Sequence, residues 1–106
     1  MPKYMIHGNY VGEGIKGLLK EGGTSRSETV KKLIEGMGGT MEAFYYTFGD
    51  DDVLVIFEAP DNVGVAALSL VANATGDVSV KTTVLLTPEE IDEATKKGVD
   101  YRPPGQ

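Results

Sequence analysis

The fold is decided by the stretch Tyr45-Tyr46-Thr47-Phe48-Gly49-Asp50-Asp51-Asp52-Val53-Leu54-Val55-Ile56-Phe57-Glu58-Ala59-Pro60-Asp61. This pattern predicts a strand, an acidic turn over residues 49–52, a second strand and the start of a helix. The second strand, Val53 to Phe57, is continuously apolar, which is typical of a strand that is covered on both faces. We therefore expect it in the middle of a sheet.

Upstream of this hairpin, the pattern predicts one strand over Lys3–Tyr10 and then a glycine-rich connector over Val11–Gly23. The apolar spacing in the connector predicts only a short helical turn. Its Gly12–Gly17 segment fits the G-x-G-x-x-G spacing of dinucleotide sites. Glu13, however, places a carboxylate where a phosphate would approach, and no long helix follows. A nucleotide site is therefore disfavoured.

The next segment predicts a helix over Thr24–Met37 with an S-x-x-E capping box at Ser25 and Glu28. Apolar residues at i, i+3, i+4 and i+7 form its buried face. The first strand of the hairpin then covers residues 40–48, and its aromatic residues fall on both faces.

Downstream of the hairpin, Asp61 or Asn62 caps a second helix that runs to about Ala74. This helix has almost no polar face, so we expect the sheet on one side and a partner subunit or the C-terminal segment on the other. A fourth strand over 77–86 follows. A second capping box at Thr87 and Glu90 then opens a short helix to residue 97.

The order of elements is β-α-β-β-α-β-α, which predicts an α+β, ferredoxin-like βαββαβ domain over residues 1–98. It adds a C-terminal helix and an extended tail over 99–106. Right-handed crossovers place both main helices on one face and give the strand order 4-1-3-2. The other face carries large residues and no helix, which predicts a homodimer, or a higher homo-oligomer, whose sheets pack face to face into one barrel. Burial of roughly 600 Å² of apolar surface per subunit would contribute about 15 kcal/mol before association costs.

Composition excludes several classes of function. The net charge is −6 and the pI about 4.6, so nucleic acids and anionic membranes are unfavourable partners. There is no cysteine, which excludes disulfides and thiolate chemistry, and a single histidine excludes most histidine-based metal sites. We expect no cofactor, no metal, no signal peptide and no membrane span, and we expect the protein in the cytoplasm.

Much of the chain resembles the bacterial GYD-domain family of the dimeric α/β-barrel superfamily. The resemblance lies in residues 17–23, 37–39, 42–45, 48–49, 52–53, 58–62, 82–90 and 101–105. Gly49 and Asp52 match the motif that names the family, but Asp51 stands where the family usually has tyrosine. The resemblance implies the fold and the dimer, and it implies no particular activity.

Candidate site residues gather at one rim of the predicted sheet. His7 is the candidate general base, because its ordinary pKa suits proton transfer. The candidate ligand-binding residues are Asn9, Tyr46, Arg26 and Asp52. The alternatives are that His7 is a half-buried strand residue bonded locally, that the acidic turn is solvated with Asp52 paired to Arg26, and that the tyrosines are core or interface.

Two functions follow from these residues. The favoured one is a dimeric interaction or small-ligand-binding module without chemistry of its own. The alternative is a cofactor-independent monooxygenase or isomerase acting on a small organic molecule, with His7 as base and Asn9, Tyr46 or Arg26 stabilising the developing anion.

Overall fold

The computed structural model describes residues 1–106, which form a four-stranded antiparallel sheet and four helices. The elements in chain order are β1 Lys3–Tyr10, α1 Glu13–Glu21, α2 Gly23–Gly36, β2 Thr40–Tyr46, β3 Val53–Glu58, α3 Asn62–Ala74, β4 Val78–Leu85 and α4 Pro88–Lys96.

The predicted ferredoxin-like fold and strand order are confirmed. The sheet order is β2-β3-β1-β4, so β1 and β3 are the two central strands. Both pairings of β1 are antiparallel, with Tyr4 opposite Phe57 of β3 and Val84 of β4. The apolar β3 lies in the middle of the sheet, as its composition predicted.

The core lies between the sheet and the helices, and it is small. In antiparallel strands, residues directly opposite each other share a face, and here that face holds Tyr4, Val53, Val55 and Phe57. Tyr4 stacks on Phe57 with ring centroids 5.6 Å apart, and its hydroxyl donates to Asn62 Oδ1 at 2.5 Å. One tyrosine therefore joins β1, β3 and the start of α3.

Two of the three predicted helix caps are confirmed. Asp61 accepts a hydrogen bond from the Gly64 amide at 2.9 Å, and Thr87 forms the reciprocal capping box with Glu90. The third prediction is wrong. Because α2 begins at Gly23, Ser25 already lies inside the helix and makes no cap.

The reason lies in the glycine-rich connector, which is a nine-residue helix and not a short turn. Helix α1 reaches Glu21, and Gly22 alone separates it from α2. Gly22 has φ 88, a backbone conformation that glycine adopts without steric cost. The turn between the helices is therefore one residue long, and α2 starts before the polar residues that resemble its cap.

Strand β2 differs from its predicted pattern in two places. Between Met41 and Ala43 the register shifts, so that Met41 and Phe44 both pack on the core. A bulge of this kind interrupts strict alternation. The strand ends at Tyr46, and Phe48, which was predicted as a strand residue, is fully exposed in the turn.

The single chain leaves much apolar surface open. Its accessible area is 7427 Å², whereas a compact monomer of this mass exposes about 5,700 Å². The radius of gyration is 16.8 Å, against about 13 Å for a compact domain of this length. Helix α4 has no buried residue, and α3 buries only Val65, so the C-terminal segment does not cover the outer side of α3. None of the four helices has the length and apolar character that a membrane span requires.

Candidate functional site

The acidic turn ties the end of β1 to the start of β3. The Asp52 amide donates to the Gly8 carbonyl at 2.8 Å, and the Asp52 carboxylate accepts from the Tyr10 amide at 3.1 Å. The alternative in which Asp52 pairs with Arg26 is therefore wrong, since no ion pair joins the two residues and this carboxylate bonds to the backbone. Asp52 has a structural role in fixing the rim of the sheet.

His7 and Asp51 form an ion-pair-like contact on the open face of the sheet. His7 Nδ1 lies 2.9 Å from Asp51 Oδ2, and both side chains are about one-quarter to one-third exposed. The Thr47 hydroxyl donates to the Asp51 carbonyl and holds the turn in place. Asp51 is thus the partner of the only histidine in the chain.

The space between the sheet and helices α2 and α3 contains a narrow apolar cavity, which we call the inner cleft. Its volume is about 90 Å³. All but two of its lining residues are apolar or aromatic, and these two are Arg26 and Ser69. Ile6, Val55 and Leu68 are typical of its walls.

A wider cavity, the outer chamber, adjoins the inner cleft at the end of the sheet. Its volume is about 320 Å³, and the two cavities share four lining residues, Tyr10, Arg26, Ala72 and Val78. Helix α1 forms its outer wall and lies against the start of β4. This close approach requires glycine at position 14, because a Cβ there would collide with the Asp77 carbonyl oxygen.

Arg26 stands between the two cavities. Arg26 is half-buried and its side chain has neither an ion pair nor a hydrogen bond, although three exposed acidic residues, Glu13, Glu21 and Asp77, line the same chamber. The guanidinium of an arginine in this position can donate two parallel hydrogen bonds to a planar anionic group.

Tyr46 lies beside this arginine on the helix-facing side of β2. Its hydroxyl donates to the Gly23 carbonyl at 2.9 Å, which joins β2 to the start of α2. Burial, followed by the neighbouring Tyr10 and Glu21, raises the pKa of Tyr46 from 10.0 to about 12, while Arg26 opposes the shift. The phenol is therefore a neutral donor over the whole physiological pH range.

Comparison with known proteins gives one family. A family model of the GYD domain matches residues 4–95. The chain belongs to the GYD-domain family. No curated protein and no solved structure matches the chain.

In this GYD-domain chain, the five predicted site residues divide between the two faces of the sheet. Arg26 and Tyr46 lie together on the helix side. His7 and Asn9 lie on the open face, because side chains alternate along β1 and Tyr10 faces the cavities. Asp52 lies at the rim between them. Neither cavity is lined by His7, and no group of three or more acidic or histidine side chains is arranged to hold a metal ion.

Sequence reasoning missed the wall that α1 contributes. Helix α1 lines the chamber with Glu13 and with four further residues, Gly14, Gly17, Leu18 and Glu21, and the pattern lies in these four. Their spacing of i, i+3, i+4 and i+7 marks one face of a helix. The signal was present in the sequence, but it becomes readable only when the glycine-rich connector is recognised as a full helix.

Proposed function

We propose that this GYD-domain protein binds a small organic ligand, as a homodimer and without chemistry of its own. The observation that carries the proposal is the unpaired, half-buried Arg26 between a polar chamber and an apolar cleft. Ligand sites typically combine apolar walls with a few polar groups that fix orientation. The outer chamber, at about 320 Å³, is at the lower end of the range for ligand pockets, which suits a small molecule.

The dimer part of the proposal concerns the open face of the sheet. The strand register places Met5, Ala43, Tyr45, Leu54 and Ile56 there, around His7. An uncovered apolar face of this size is uncommon in monomers. The whole chain, with the uncovered α4 and the C-terminal tail included, exposes about 1,700 Å² more than a compact monomer, and a standard interface buries roughly 800 Å² per partner.

The distribution of apolar and polar side chains on this face suits a second copy of the chain. Apolar side chains of β2 and β3 lie beside His7 on this face, the Lys3–Glu42 pair lies at the edge with N and O atoms 2.9 Å apart, and Ser79, Lys81 and Thr83 make the β4 side polar. Homodimer interfaces commonly have such an apolar centre and polar rim. In a two-fold dimer each copy presents the same patch to the other. The cytoplasmic location and bacterial origin stay predictions.

The second candidate function is a cofactor-independent monooxygenase or isomerase, and the His7–Asp51 contact favours it. A carboxylate that accepts from Nδ1–H orients a histidine ring and leaves Nε2 free to accept a proton. The pair lies on the open face, so the proposed dimer would enclose it. This arrangement resembles the base and orienting group of general acid–base catalysis.

One thermal-shift experiment separates the two candidates. Small acids, amines, zwitterions and neutral aromatic compounds would be screened against the wild type, Arg26→Gln and His7→Ala. Binding at the cavities predicts stabilisation that Arg26→Gln abolishes and His7→Ala leaves intact. Stabilisation that requires His7 and not Arg26 would contradict the cavity proposal and favour the enzyme.

A further inference from the structure

We propose that the ligand of the cavities is a zwitterion with an aliphatic group, of the class of the branched-chain α-amino acids. The inference rests on the proposed binding function and specifies its ligand. It follows from three features of the site: an arginine without an ion pair, two acidic residues without a cationic partner in the same chamber, and an apolar cleft beside them.

The charges of the outer chamber do not suit a simple anion. Glu13 is partly compensated by Lys16, whose ammonium lies 3.2 Å away. Glu21 accepts a hydrogen bond from the Ser25 hydroxyl at 3.4 Å, but neither Glu21 nor Asp77 has an ion pair. Arg26 alone opposes them, so the chamber keeps a negative charge. A monocarboxylate would gain the arginine but would be repelled by Glu21 and Asp77, which have no cationic partner.

A simple amine has the opposite difficulty. Its ammonium would gain Glu21 and Asp77 but would lie in the same chamber as Arg26, which would stay without an anion. A zwitterion satisfies both signs, because its carboxylate accepts from Arg26 while its ammonium donates to a carboxylate. Arg26 and Glu21 line the same chamber from either side of the Gly22 turn, so the two residues lie near one another. Their proximity favours a molecule whose own charges are close, as on the α-carbon of an amino acid.

The inner cleft gives specificity for the aliphatic group of the ligand. Its walls hold Ile6, Val30, Leu33, Val55 and Leu68, and it opens next to Arg26. With a volume of about 90 Å³, it accommodates a short aliphatic group and not a large aromatic one. A polar side chain would lose its hydrogen bonds to water there, which disfavours such amino acids.

Isothermal titration calorimetry of the full chain with three matched probes tests the inference. L-leucine carries both charges, 4-methylpentanoate lacks the amine, and 3-methylbutan-1-amine lacks the carboxylate. We expect leucine to bind at least about ten-fold more tightly than either analogue, because each analogue loses one charge-assisted contact of at least about 1.4 kcal/mol. Glycine, without the aliphatic group, should bind about ten-fold more weakly than leucine.

Variants locate the site. Arg26→Gln, and the double variant Glu21→Gln with Asp77→Asn, should each weaken leucine binding at least about ten-fold. Glu89→Gln on the exposed helix α4 removes the same charge elsewhere and should leave the affinity unchanged. Circular dichroism checks that each variant is folded, and the three-probe comparison on the wild type stands without any variant.

Two results would overturn the inference while leaving the binding function intact. One is an analogue that binds the wild type as tightly as leucine and still depends on Arg26. The other is no heat with leucine at millimolar concentration when the thermal-shift screen gives an Arg26-dependent ligand of another class. Failure of the screen itself, with no Arg26-dependent ligand of any class, contradicts the proposed function.

Discussion

Substitution of Ala72 by leucine should stabilise the fold and abolish ligand binding. Ala72 lies on α3 and lines both the inner cleft and the outer chamber. Leucine adds three carbon atoms, and burial of each contributes about 0.8 kcal/mol, or about 2.4 kcal/mol in all. Loss of side-chain freedom offsets about 0.5–1 kcal/mol of this. The net gain is about 1.5 kcal/mol, because the 90 Å³ of the cleft leaves room for the added atoms.

Thermal unfolding followed by circular dichroism measures this gain. A stabilisation of 1 kcal/mol raises Tm by about 4–8 °C in a domain of this size, so Ala72→Leu should raise it by about 6–12 °C. The matched control is Ala67→Leu, on the exposed side of the same helix, which should stay within about 0.5 kcal/mol of the wild type. Both variants must be compared at one protein concentration, because the Tm of a dimer depends on it.

A loss of stability of about 1–3 kcal/mol in Ala72→Leu, the usual cost of overpacking, would contradict the expected gain. That result would mean that the space beside Ala72 is already filled. Binding of a ligand from the thermal-shift screen to Ala72→Leu as tightly as to the wild type would contradict the expected loss of binding.

Three further predictions concern the open face, Tyr46 and α4. Ile56→Asp places a charge in the centre of the proposed interface, in both copies, and should raise the dimer Kd by more than about 10³-fold as measured by sedimentation. Leu19→Asp, at an 83% exposed position on α1, should leave the dimer Kd unchanged. An equal rise in Kd for the two variants would contradict the assigned interface. Because the pKa of Tyr46 rises from 10.0 to about 12, its contribution to stability is complete below pH 10 and is lost as the pH rises towards 12. In urea unfolding across this pH range, the free energy of unfolding should therefore fall less for Tyr46→Phe than for the wild type. An identical fall in the two proteins would show that the phenol is not shielded from solvent. Thr87→Ala removes the capping box of α4 and should cost about 1 kcal/mol of local helix stability. The loss should appear as faster amide hydrogen exchange within α4 with little change in global unfolding, and a fall in global stability would contradict the separation of α4 from the core.

The hairpin at residues 45–61 predicted the architecture because a strand that is covered on both faces has a continuous apolar sequence. The apolar run of β3 could lie only in the middle of the sheet, and handed crossovers then left one strand order. The extent of α1 was not predictable in the same way. Each glycine inside a helix costs about 1 kcal/mol, so local propensity argued against one. Tertiary contact at Gly14, where α1 meets the backbone of Asp77, outweighs this cost.

The candidate site was predictable only in part for a related reason. Arg26 and Tyr46 were expected near one rim, and the structure brings them together. His7 and Asn9 were expected at the same rim, but alternation along β1 places them on the other side of the sheet. The contact between His7 and Asp51 depends on side-chain directions in a tight turn, which no periodic pattern encodes.

Sedimentation equilibrium of the wild type tests whether a second copy of the chain covers the open sheet face. We expect a mass of about 22.6 kDa, twice the 11.3 kDa of one chain, at micromolar concentration. A mass of 11.3 kDa at every concentration measured would contradict it.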